Sequence, residues 1–116
     1  MLVLGMPSVT YFVGETAHLL CGGKTSNSPP DWIFQSSPNV KSHAIISRGN
    51  KVNGDFGGRL GTRGSTLVIE DVQVEHSGVY TCREDGGEGE EHKVVLIVRV
   101  HGKMWRDGIL IICLVL

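Results

Sequence analysis

The sequence predicts an all-β fold built as a two-sheet sandwich, and three observations carry that prediction. Apolar and polar residues alternate with a period of two along most of the chain, as in "SVTYFV" and "AHLLC", the pattern of strands with one buried face. The alternating runs are short and recur about every 8–12 residues, the rhythm of a sandwich. Sixteen glycines against four prolines supply the turns between them. No run longer than a turn carries the 3.6-residue period of a helix. A chain of 116 residues makes one domain with a real but thin core.

The elements follow in order. "SVTYFV" (8–13) is a first strand, and "GET" turns the chain. "AHLLC" (17–21) places Ala17, Leu19 and Cys21 on one face. "GGKTSNSPP" is a loop. "DWIFQ" (31–35) puts Trp32 and Phe34 on one side and Ile33 and Gln35 on the other. "SSPNVKS" connects to the short strand "HAIIS", and "RGN" and "NGDFGG" are turns on either side of "KV". "RLGTR" and "STLVIE" (65–70) pair as a hairpin with Leu67 and Ile69 inward. "DVQVEHSG" is a corner, "VYTCRE" a strand, "DGGEG" a tight turn and "EEHKVVLIVRV" a long last strand. Composition shifts after Val100, which sets the domain at residues 1–101 and a tail at 102–116.

Composition excludes several functions. A net charge of -1 gives no electrostatic case for nucleic acid or an anionic membrane surface. The three cysteines, Cys21, Cys82 and Cys113, cannot all pair within one chain. None lies in a CxxC, and the five histidines (His18, His43, His76, His92, His101) are dispersed without zinc spacing. No metal or cofactor is expected. Nor is an enzyme, because there is no G-x-S-x-G and no carboxylate pair isolated in an apolar setting. The Ser, His and Asp residues near 71–77 sit on a corner, where a triad has no room. No asparagine has Ser or Thr two residues on, so N-glycosylation is not predicted.

Tyr80 and Cys82 share the inward face of "VYTCRE", and Trp32 follows Cys21 by eleven residues. A buried phenol needs a polar partner. Together Cys21, Trp32, "LVIEDV" and "SGVYTC" resemble an immunoglobulin-superfamily domain over residues 8 to 100. The resemblance implies a Greek-key sandwich, an inter-sheet disulfide between Cys21 and Cys82 packed on Trp32, and a corner role for Tyr80. Such a bridge closes a loop of about 62 residues, worth roughly 4 kcal/mol in the chain-entropy description. The long interval between the cysteines, with "HAIIS" and "KV" as extra strands, favours the variable type. His76 departs from the family, which usually has an aspartate there facing an arginine. Arg59 stands where that arginine would be, with Glu75 or Asp71 as its other possible partners. His76 then reads either as a tolerated surface histidine or as a pH-sensitive corner.

One face invites association. Ile33 and Gln35 point away from Trp32, and the parity that buries Val94, Leu96 and Val98 turns Val95 and Ile97 outward. This is similar to antigen-receptor variable domains, which carry an apolar residue and then glutamine on the face where two domains pair. The expected interface is Ile33, Gln35, Thr81, Val95 and Ile97. It would join a homodimer or a second variable-type domain. "GGEGEE" (86–91) resembles the joining-segment motif, with Gly87 and Gly89 at Gly-x-Gly spacing. Glu84, Asp85, Glu88, Glu90 and Glu91 make an acidic tip beside Arg83, either a solvated loop or a contact for a basic partner. Arg83 stands three residues after Tyr80, as in sialic-acid-binding lectins of the superfamily, where an arginine holds the sugar carboxylate. A glycan-binding domain is therefore the alternative function.

Both ends are apolar. "MLVLGM" lacks the basic flank of a signal peptide and is either the scar of one or a first strand. "ILIICLVL" (109–116) has eight apolar residues, where a membrane helix needs about 20. It is expected to open a membrane span in a longer parent. In this chain it is expected to add as a strand to a neighbouring copy or to "MLVLGM", with Cys113 able to cross-link two chains. The whole reads as a protein-recognition domain of an immune-receptor-like or adhesion protein, extracellular or at the cell surface.

Overall fold

The structure is a computed structural model that describes residues 6–23, 30–37, 44–48, 51–52, 60–84, 89–106 and 109–115. Among the described residues the strands run β1 (Ser8–Phe12), β2 (Ala17–Leu20), β3 (Asp31–Gln35), β4 (Ala44–Arg48), β5 (Lys51–Val52), β6 (Leu60–Arg63), β7 (Thr66–Ile69), β8 (Gly78–Arg83), β9 (Glu91–Arg106) and β10 (Ile109–Val115). The larger sheet has the order β1-β9-β8-β3-β4-β5, and the smaller is β2-β7-β6. β1 lies parallel to β9, so the first strand crosses to the sheet that holds the last.

Alternation carries through to packing. Ala17 and Leu19 on β2 are buried while His18 and Leu20 are exposed. Leu67 and Ile69 on β7 have no exposed surface, and they meet Trp32, Ile46, Val72, Tyr80, Leu96 and Val98 in one cluster. Burying aliphatic side chains of this size contributes about 1.5–3 kcal/mol each. A bulge between Trp32 and Ile33 in the β3–β4 pairing lets Ile46 and Ser47 both turn inward, where they are buried.

The last strand departs from expectation. β9 continues past Val100 to Arg106, and β10 folds back on it, pairing Ile109 with Arg106 and Val115 with Val100. The tail does become a strand, and within this chain it pairs with the extension of β9, a partner not expected from the sequence. Asp-Gly at 107–108 is the dipeptide preferred in two-residue hairpins, and it was the available signal. "MLVLG", Arg59 and the loop bearing Asp85, Gly86, Gly87 and Glu88 lie outside the described residues.

Candidate functional site

Cys82 bonds Cys21 across the sheets with a Cα–Cα separation of 5.8 Å. Cys21 sits in a 3-10 turn just after β2, and Trp32 lies beside Cys82 in the β3–β8 register. Trp32 is wholly buried. Two residues before Cys82, Tyr80 turns its ring against Phe34, centroids 5.0 Å apart. Its hydroxyl donates to the His76 carbonyl at 2.6 Å. Burial pushes the Tyr80 phenol well above its ordinary value. Gly78 opens β8 with φ 156°. A Cβ there would collide with the Gln35 carbonyl and lie 2.6 Å from the Phe34 ring, so this position admits only glycine.

His76 has a structural role that the sequence did not reveal. Its Nδ1 accepts the Gln73 backbone N–H at 2.8 Å, at the entry to the 3-10 turn Val74–His76. A side-chain acceptor at that point does what an aspartate does in capping an exposed N–H. The ring holds the corner that presents its own carbonyl to Tyr80.

The outer face of β4, β3, β8 and β9 carries the residues expected to associate. Register sets Ile45, Ile33, Thr81 and Lys93 in one row. Gln35, Val79 and Val95 form the next. Ile45 is 40% exposed, and Ile33, Val95 and Ile97 are half-buried. Gln35 and Thr81 share this side but are buried within the chain, at 9% and 3% exposure. Both lie on central strands of the sheet; Thr81 sits between Ile33 and Lys93, and the Lys93 ammonium reaches the Thr81 hydroxyl at 3.4 Å. Their expected exposure is therefore corrected: the solvent-facing apolar strip is Ile45, Ile33, Val95 and Ile97. Ile45 was not foreseen, because the bulge reverses the parity of β4.

A sequence profile for the immunoglobulin domain matches residues 3–85. The chain belongs to the immunoglobulin domain family. Hemolin of Lonomia obliqua is 43% identical over 56 residues, which covers 45% of this chain and 14% of hemolin. The B-cell antigen receptor complex-associated protein alpha chain of Bos taurus is 29% identical over 102 residues, 88% of this chain and 41% of that protein. The immunoglobulin domain described here thus spans less than half the length of either relative. Among solved structures, the N-terminal four Ig domains of Dscam1 isoform 7.44 superpose with a TM-score of 0.62 at 22% identity, over 82% of this chain and 22% of that one. The extracellular domain of the voltage-gated sodium channel beta4 subunit, described as a parallel homodimer, gives 0.59 at 17%, over 86% and 96%. At these identities the structural likeness establishes the fold alone.

At the open end of this immunoglobulin domain, Arg83 stands in register with Asp31 on one side and Glu91 on the other. Its guanidinium is 3.7 Å from the Glu91 carboxylate, and Lys93 approaches Glu91 from the next position at 4.0 Å. The pocket beside Arg83, about 240 Å³, is lined by Asp31, Ile33, Thr81, Cys82, Arg83 and Glu91. On the opposite face of the same hairpin, His92 Nε2 lies 3.1 Å from Glu84 Oε2 and 3.9 Å from Glu90 Oε2. The histidines read as dispersed in sequence, yet this one is gathered with two carboxylates. Glu84 and His92 meet only because the hairpin brings β8 and β9 into register.

Proposed function

We propose that this immunoglobulin domain is a variable-type protein-recognition module that pairs with a second copy through the outer face of β4, β3, β8 and β9. The carrying observation is the aliphatic strip Ile45, Ile33, Val95 and Ile97 on the solvent side of that sheet. Apolar strips of this kind mark association sites. The rim is compatible with an isologous contact, because Asp31, Arg83, Glu91 and Lys93 present both signs along one edge and a two-fold axis that sets acid against base in one half does so in the other. The variable-type reading rests on β4 and β5, which extend the β9-β8-β3 sheet as that type requires. An adhesion or receptor-like role agrees with the likeness to the B-cell receptor alpha chain, and the beta4 subunit is a precedent for homodimers on this fold. The disulfide requires an oxidising compartment, hence an extracellular or cell-surface location. Among the described residues no helix is long and apolar enough to cross a membrane. We propose that residues 102–116, a hairpin arm beyond the core sandwich, serve as a stalk or as the start of a membrane segment.

The glycan reading is the weaker one. Arg83 is flanked by Asp31 and Glu91, so an anionic sugar would meet two carboxylates and have to displace the Glu91 pair. Unchanged cell binding after sialidase treatment would agree with this.

Light scattering on the full chain at tens of micromolar tests the pairing. Wild type should show twice the monomer mass. Ile45→Lys and Ile33→Lys should return the monomer, because each places a charge in a desolvated contact. Leu20→Lys, on the exposed side of the other sheet, should leave the dimer intact. A wild-type monomer, or a dimer indifferent to both lysines, would refute the assigned face.

A further inference from the structure

The hairpin that joins β8 to β9 is locked by two backbone bonds. Glu84 N–H donates to the Glu90 carbonyl at 3.0 Å, and Gly89 N–H donates to the Glu84 carbonyl at 2.7 Å. These fix Glu84 opposite Glu90. His92 follows Glu90 by two residues, so the strand period puts both on one side, the side of the disulfide, since His92 pairs in register with Cys82. One edge of the imidazole lies over Gly22, whose φ is 68° and where a Cβ would come within 2.7 Å of the ring. Glycine at 22 thus allows the ring to seat against the turn, which restricts its orientation.

We propose that Glu84, Glu90 and His92 form a divalent-cation site at this hairpin, with a preference for zinc over calcium and magnesium. The three ligand atoms lie within 4.8 Å of one another. A tetrahedral zinc with bonds of ~2.0–2.1 Å needs its ligand atoms ~3.3 Å apart. The two carboxylate approaches to His92 Nε2, 3.1 and 3.9 Å, bracket that separation, so binding needs only side-chain adjustment. The imidazole nitrogen sets the selectivity, because calcium and magnesium take oxygen ligands. Charge supports the same conclusion. Two carboxylates face each other, while the cations nearest in the hairpin, Arg83 and Lys93, pair with Glu91 instead. Glu84 and His92 are about a quarter exposed at their side chains and Glu90 is 72% exposed, which leaves a fourth position open to water and lets the ion enter from solution.

Isothermal titration of the full chain with zinc chloride should give one zinc per chain and raise the thermal midpoint. His92→Gln and Glu90→Gln should each weaken zinc binding by about tenfold or more, as loss of a coordinating group does. Glu90 is too exposed for its change to unfold the domain, so that variant keeps the test valid if His92→Gln is unstable. Glu91→Gln, on the same strand but the opposite face, should bind as wild type. The proposal is overturned by the absence of stoichiometric zinc binding, by wild-type affinity in both ligand variants, by an equal loss in Glu91→Gln, or by tighter binding of calcium chloride than of zinc chloride.

Discussion

Replacing Tyr80 with phenylalanine isolates one hydrogen bond at the corner of the domain. The ring and its 5.0 Å contact with Phe34 are kept, and only the 2.6 Å donation to the His76 carbonyl is lost. Tyr80 is 2% exposed, so water is poorly placed to replace the hydroxyl. Leaving a carbonyl without its partner in such a setting costs about 1–3 kcal/mol. For a domain of this size 1 kcal/mol shifts the thermal midpoint by about 4–8 °C, so a fall of roughly 8–15 °C is expected for a cost near 2 kcal/mol. Alkaline pH supplies a second, independent reading. Burial raises the phenol's folded value above its unfolded one, so the folded state holds its proton more tightly. The stability so gained is complete below the unfolded value, near pH 10, and is lost as pH rises beyond it, at up to about 1.4 kcal/mol per pH unit. Denaturant unfolding at pH 7 to 11 should therefore show a descent above pH 10 in wild type that is shallower in Tyr80→Phe. A variant within about 0.5 kcal/mol of wild type and with the same alkaline slope would refute the corner role.

Two further outcomes follow from the same corner and from the tail. His76→Ala should lose about 1 kcal/mol through the uncapped Gln73 N–H, whereas His76→Asp, which restores an acceptor, should hold within a few tenths by denaturant titration. Equal losses in both would mean that the ring itself, not its Nδ1, is what the corner needs. Deleting residues 108–116 removes a strand that, among the described residues, pairs only with β9, so the thermal midpoint should stay nearly unchanged while solubility improves, as unshielded apolar strands promote association. A large drop would show that the tail completes the fold.

Much of the fold was legible because strand parity and covalent constraint point the same way. Ala17, Leu19, Leu67, Ile69, Tyr80 and Cys82 all turn inward as alternation requires, and one inter-sheet bond then fixes which strands face each other. Parity failed where the backbone breaks its own rhythm. The bulge after Trp32 turned Ile46 and Ser47 inward together and left Ile45 on the outer face proposed to pair, and nothing in "HAIIS" announces it. Burial on that face was also misjudged, since alternation gives the direction of Gln35 and Thr81 but not the cover that central position and Lys93 provide.

The hairpin site shows a different limit. Metal motifs are recognisable when their ligands are close in sequence, because a loop or a helical turn then brings them together without help from the rest of the fold. Glu84 and His92 are on different strands, and only the register that pairs Arg83 with Glu91 converts their separation into contact. Strand alternation then does the sorting: with Cys82 facing the core, Glu84 and His92 share its side while Arg83, Glu91 and Lys93 take the other. One hairpin therefore presents two unlike surfaces. Its outer side matches charges around an apolar strip, and its inner side gathers a nitrogen and two carboxylates at the mouth of the sandwich. Because alternation separates them, a change at Glu90 should leave pairing of the outer face untouched, and a change at Ile33 should leave zinc affinity untouched.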